Sequence, residues 1–336
     1  MKMDNIFILG ASQDIPVGRI AVANETRSDS ATLIEALTAY AAGYKDPENL
    51  DEVLEFFAPA VPVSRRFEYR VHGAFDDLYS EDADGDVRAI GADFKVIRTK
   101  GSLVQAKTAN KGLTEAIDLD EIEDDVEGQK QLKVARLKRI LVRTELMRAI
   151  ALHLIAAGAA KQKNWASTGD KTDPDSDVLA AIDAVRTSAN GGFCNRVSYT
   201  DSAWTRRVLG LRALDTPGGY ASSGMTPEQV AAFLGVQGVK RCEGVYYNKA
   251  ADTKRSGIGK ASTAGYLGRV LGFYGQSGIS KDDMSTLKRF ISGTIDGSAW
   301  RVYEDQKSAK ILHLTVEHNS LIATTLAGSN FSLEVK

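Results

Sequence analysis

The residues through which this sequence could do chemistry are four histidines, two cysteines, and a few acidic or glycine-rich runs. His72, His153, His313 and His318 include no His-Glu-x-x-His pair, the spacing that puts two imidazoles on one helix face for zinc. His313 and His318 stand five apart in an alternating run, so a strand would point them to opposite faces. His153 lies in an apolar helical run, where a satisfied core histidine is expected. Cys194 and Cys242 lack CxxC spacing, which excludes a cysteine-rich zinc site and a disulfide framework. Asp82-Ala83-Asp84-Gly85-Asp86 has the acids of a calcium loop, but its Gly comes too early and no Glu closes it. It reads as a solvated hairpin tip. Gly257-Ile258-Gly259-Lys260 falls short of a phosphate loop, because position 254 is Lys and position 261 is Ala. Ser222, in Gly219-Tyr220-Ala221-Ser222-Ser223-Gly224, is one residue too far from Gly219 for a nucleophile elbow. The strand-like start Ile6-Phe7-Ile8-Leu9-Gly10-Ala11-Ser12 carries Ser12 where a dinucleotide fold needs its second Gly. No catalytic, cofactor or metal site is predicted, and the chain is expected not to be an enzyme.

The bulk numbers are those of an ordinary globular protein. Of 336 residues, 43% are hydrophobic and 26% charged, and 42 bases against 44 acids give a net charge of −2. That balance argues against tight nucleic-acid binding over the whole surface. No run approaches the ~18 apolar residues of a membrane span, and the N-terminus shows no signal-peptide pattern. The cysteine usage fits folding in a reducing compartment.

The elements that would position these residues follow from pattern. Helices are expected over 31–44 and 47–57, the second opened by Asp46 as cap with Pro47 in the first position. The prolines of 58–63 require extended chain. Phe67, Tyr69 and Val71, and then Ile90, Ala92, Phe94 and Val96, alternate as the two strands of a ribbon. An isolated ribbon is marginal in water, so it is expected to project and pack on a neighbouring subunit. Residues 119–160 predict one long helix or two nearly continuous ones, with Gly128 the weak point and an acid-then-base order along it. Forty helical residues would reach about 60 Å, which implies an elongated body. Its basic run, 130–148, reads as a solvated face pairing with neighbours, or else as a surface facing DNA without sequence preference. Beyond it, helices are expected from Asp173-Pro174 to 187, over 202–209, from the capping box Thr226-Pro227-Glu228-Gln229, and from 280. Strands are expected over 194–199, 239–247, 266–274, 299–304, 310–318, 321–326 and 331–335.

In order, several segments resemble tailed-phage major capsid proteins. They are Gly43-Tyr44 followed by Pro59-Ala60-Val61-Pro62-Val63, Lys107-Thr108-Ala109-Asn110-Lys111-Gly112 before Ile117-Asp118-Leu119-Asp120, and Leu141-x-Arg143-x-Glu145-Leu146-x-Arg148-Ala149. Then come Trp165-Ala166-Ser167-Thr168, Cys194-Asn195-Arg196-Val197, Ala203-Trp204, Leu234-Gly235-Val236, Arg301-Val302-Tyr303-Glu304 and Thr315-Val316-Glu317-His318. The resemblance runs from about residue 43 to 330, and the order of the segments carries it. It implies an α+β capsid fold, first seen in the Hong Kong phage coat protein. The implied divisions are an N-terminal arm (1–63), an extended loop (64–113), a peripheral domain (114–169 and 285–336) and an axial domain (170–284).

The resemblance further implies a coat protein whose copies assemble into pentamers and hexamers of an icosahedral shell around double-stranded DNA. Expected partners are copies of itself, a separate scaffolding protein, a portal and a decoration protein, with no membrane contact. The scaffold is expected as a separate chain because only about sixty residues precede the ribbon. The place is the virion capsid, assembled in the bacterial host cytoplasm. Phe67, Tyr69, Phe94, Arg136, Arg139 and Arg143 are the expected inter-subunit contacts. The alternative is an encapsulin-like shell packaging enzyme cargo. Some relatives crosslink Lys to Asn beside a carboxylate. Lys95, Lys100, Lys107 and Lys111, with Asn330 and Glu334, are candidates, but no crosslink is expected.

Overall fold

The computed structural model describes residues 31–73, 88, 90, 91, 93, 101–122, 125–165, 172–188, 192–214, 219–242, 245–247, 255–257, 268–276, 280–293, 299–326 and 328–336. The chain order opens with β1 (Thr32–Leu33), α1 (Glu35–Gly43), α2 (Leu50–Phe57), β2 (Ala60–Pro62), β3 (Arg66–Val71), β4 (Ser102–Lys107) and β5 (Ala109–Asp118). It continues with a short 3-10 turn, α3 (Val126–Ala157), β6 (Lys161–Lys163), α4 (Pro174–Thr187), β7 (Arg196–Thr200), α5 (Asp201–Ala213), α6 (Gly219–Ser223), α7 (Pro227–Leu234) and β8 (Gly238–Cys242). It closes with β9 (Val245–Tyr247), β10 (Arg255–Gly257), β11 (Arg269–Phe273), β12 (Leu287–Ser292), β13 (Trp300–Gln306), β14 (Ile311–Thr324) and β15 (Phe331–Val335). The chain divides into two units. The first holds the residues up to Phe67 with Ala106–Arg148 and Lys288–Ala323, and the second holds Glu68–Gln105, Ala149–Leu287 and Thr324–Lys336.

The first unit is a sheet covered by helix. Its strands run β1-β13-β14-β12-β2, with β5 on the other edge of β14. β14 pairs antiparallel with β13 from Trp300↔His318 to Gln306↔Leu312, and with β5 from Ile311↔Asp118 to Ser320↔Ala109. Along β14 every second residue from Leu312 to Ile322 is buried, the two-residue period of a half-covered strand. Leu312, Leu314 and Val316 meet Leu37 and Ala41 of α1 and Val134, Leu137 and Leu141 of α3. Each buried leucine or valine of this set stabilises by about 1.5–3 kcal/mol.

The second unit is a five-stranded sheet, β6-β15-β11-β7-β8, packed by helices. Its core includes Trp165, Val178, Ile182, Tyr199, Trp204, Val230, Val270 and Leu333. Two of its helix starts are those the local chemistry predicts. Asp173 accepts from the N–H of Asp175 with Pro174 at the first position, and Thr226 and Gln229 close a full capping box. Gly235 ends α7 at φ 65°, a left-handed turn that suits glycine.

Several expectations are corrected. Asp46 does not cap a helix. Residues 46–49 form a turn, α2 begins at Leu50, and the Asp46 carboxylate goes to Arg139 instead. The long helix starts at Val126, because Leu119–Glu121 is a 3-10 turn. Gly128 is no break: its N–H donates to Asp125 Oδ1 at 2.8 Å, and a Cβ there would collide with that carboxylate. Residues 280–283 form a polar turn rather than a helix, with Asp283 accepting from the Ser280 N–H. Residues 310–326 give one long strand, not two, while 239–247 gives two, β8 and β9. The partner of β3 is β4, and Ile90 and Gly91 sit in a turn; Ala92, Phe94 and Val96 lie outside the described residues.

Candidate functional site

The densest polar constellation lies inside the first unit, where β5, α3 and β14 meet. Lys111 Nζ donates to Glu145 Oε1 at 2.8 Å and to Ser320 Oγ at 2.9 Å. Ser320 Oγ donates to Glu145 Oε2 at 2.9 Å, and Arg148 pairs with Glu145 Oε1. His318 Nε2 stands 3.8 Å from Glu145 Oε1, beyond hydrogen-bond reach, and its ring lies 4.6 Å from that of Trp300. Strand alternation puts His318 and Ser320 on the helix-facing side, and His313 on the other, as the spacing predicts.

A serine, a lysine and a carboxylate within bonding distance can in principle make a nucleophile. Here the geometry opposes it. Ser320 is 0% exposed and Glu145 1% exposed, so no substrate reaches them. Burial alone would raise the Glu145 carboxyl, but His318, Lys111 and Arg148 hold it well below the usual carboxylate range. Burial lowers the Lys111 ammonium, and Glu145 partly offsets that shift. Burial also lowers His318. Lys111, Glu145, Arg148 and Ser320 form an ionic clamp between two strands and a helix, while the ring nitrogens of the buried His318 make no hydrogen bond. Lys111, one of the candidate crosslinking lysines, is held in that clamp.

The basic run of α3 is matched base by acid within the first unit. Lys130 meets Glu127 and Glu304, and Lys133 and Arg136 share Glu115 at 2.7 and 3.1 Å. Lys138 donates to the Tyr44 carbonyl at 2.8 Å and stands 3.4 Å from the Asp51 carboxylate. Arg139 meets Asp46 at 2.9 Å and the Tyr44 hydroxyl at 2.8 Å, and Arg143 meets Glu48 at 2.6 Å. So Arg136, Arg139 and Arg143 all have partners in their own chain, on α3's neighbours rather than along the helix. Asp46, Glu48 and Glu115 escaped sequence reasoning because no local spacing links them to these bases. Phe67 is buried with its ring 4.6 Å from that of Phe290, Tyr69 is buried too, and Phe94 lies outside the described residues.

Among the described residues no group of His, Cys, Asp and Glu could hold a metal ion, and no helix is long and apolar enough to cross a membrane. A shallow surface depression lined by Tyr44, Asp46, Leu50 and Lys138 has no enclosed room for a ligand, and its charges are paired as above.

No protein-family model matches the sequence, and no curated protein matches it. Solved structures do. A phage-related protein from Bordetella bronchiseptica RB50 aligns with 14% identity over 90% of this chain and 97% of that one, at a TM-score of 0.63. The virus-like particle from Pyrococcus furiosus aligns at 10% identity over 89% and 98%, TM-score 0.47. The capsid of cyanophage P-SCSP1u aligns at 12% over 83% and 86%, TM-score 0.47. On the first of these matches the chain has the fold of a phage-related protein, in the α+β class that its resemblance to tailed-phage major capsid proteins implied.

Proposed function

We propose that this chain is the major coat protein of a tailed phage, assembling as pentamers and hexamers into an icosahedral shell around double-stranded DNA. The observation that carries the proposal is the whole-chain fold match to a phage-related protein, found in a sequence whose ordered segments already resembled capsid subunits. The polar cluster supports it, since its chemistry is locked and shielded and serves rigidity. Residues 1–63 are read as the arm, 64–113 as the extended loop, 114–169 with 285–336 as the peripheral domain, and 170–284 as the axial domain. Phe67, Tyr69, Phe94, Arg136, Arg139 and Arg143 are proposed to lie near subunit contacts, with a scaffold, a portal and a decoration protein as further partners. Contact with DNA is weak in this account, because the bases of α3 are already neutralised by acids of the same chain. The test is particle content. Shells carrying nuclease-protected DNA after phage production support the proposal; shells filled with an enzyme point to a nanocompartment instead.

A further inference from the structure

β5 pairs with β14 along its whole length, ten residues in unbroken register. Among the described residues no strand covers its other edge, about 34 Å of backbone N–H and C=O groups. Exposed edges are usually blunted by proline, a bulge or an unpaired charge. β5 has no proline and no bulge; its Lys111 and Glu115 are both engaged by groups of α3 or β14, and its third charge, Asp118 at the strand's last position, accepts from the Asp120 N–H. Beside this edge lies an apolar stripe. Leu132 (62% exposed) and Ile140 (40% exposed) flank Arg136 on α3, within an arc of about 80°. Arg136 and Lys133 both reach Glu115, which places that stripe next to β5 and its own exposed Leu113.

We propose that a second copy of this chain covers the edge, β5 against β5, antiparallel about a two-fold axis at Leu113. The sequence is complementary to itself in that register. Leu113 meets Leu113, Lys111 of one copy stands opposite Glu115 of the other, and Ala109 opposite Ile117. On the opposite face Asn110 meets Ala116 and Gly112 meets Thr114. No like charges oppose, the arrangement that favours cross-strand pairs. The symmetry is that of an isologous interface, and it brings Leu132 and Ile140 of both copies alongside the new seam. The inference rests on the shell reading for a supply of copies held side by side.

Directly opposed residues in an antiparallel pair have Cα atoms about 4.5–5.5 Å apart, within disulfide reach. Leu113→Cys particles oxidised with diamide should run on a non-reducing denaturing gel at twice the 36.3 kDa chain mass, and a reductant should reverse it. Asn110→Cys and Ala116→Cys should each stay at the chain mass, and the double variant should dimerise. The double variant also serves if Leu113→Cys disturbs the subunit. Particles of both Leu113→Cys and the double variant that stay at the chain mass overturn the inference and leave the shell reading standing; the edge then has another occupant, residues 1–30 or a separate protein. If the unaltered chain forms no particles, the shell reading fails. The same oxidation of the soluble variants then decides the pairing, dimer for it and monomer against it.

Discussion

Glu145 is where a single residue bears most on the first unit. Its buried carboxylate receives Lys111, Arg148 and Ser320 from three elements. Removing one partner of such a cluster strands the others. Glu145→Ala should cost about 3–5 kcal/mol in urea unfolding of the unassembled subunit, while an effect below about 1 kcal/mol would mean that the clamp is decorative. The same cluster sets a pH dependence. Glu145 and His318 are both held below their ordinary values, 4.5 and 6.5. Each therefore contributes stability that is full above its unfolded value and is lost as pH falls through its folded value. The urea midpoint should drop as pH is lowered from 7, and His318→Gln should flatten the part just below pH 6.5. A midpoint that rises on acidification contradicts this. At this scale the sequence was partly legible. The opposite facing of His313 and His318 followed from spacing alone. The role of Asp46 did not, because the local proline rule cannot see Arg139 coming from 93 positions further along the chain.

At the level of elements, the α3 bases separate folding from assembly. Arg139 is paired to Asp46, which is buried, whereas Arg136 is 65% exposed beside Glu115. Arg139→Glu sets like charges together in a packed place and should lower the thermal midpoint of the subunit. Arg136→Glu should change subunit stability by no more than about 1 kcal/mol yet reduce particle yield, since it sits beside the proposed seam. Equal loss of folded subunit in both variants would remove the distinction. Deleting residues 78–90, the predicted ribbon tip, should leave a folded subunit that assembles poorly; normal particle yield from the deletion would dismiss the ribbon as an assembly element. Helix starts with a cap and proline, such as Asp173-Pro174 and Thr226-Pro227, were legible because their chemistry is local. β12 was missed because Lys288 and Arg289 interrupt its apolar alternation, and only burial between β14 and β2 makes Leu287–Ser292 a strand. Of the two alternatives, one long helix or two, the single helix is present; the weak point, Gly128, falls in its first turn, where Asp125 accepts from the Gly128 N–H.

At the scale of the whole molecule, strand pairing decides the architecture, and it joins residues that no window of sequence holds together. β5 and β14 lie some two hundred positions apart and still form the longest ladder described. Their partnership was beyond periodicity, yet the order of short segments carried the resemblance that the fold match then met. The account stands or falls on assembly. The most direct measurement is electron microscopy of the purified chain, produced alone and with its scaffold. The account predicts closed icosahedral shells whose capsomers are pentamers and hexamers of this subunit. A stable monomer of 36.3 kDa that forms no particles under either condition would contradict it.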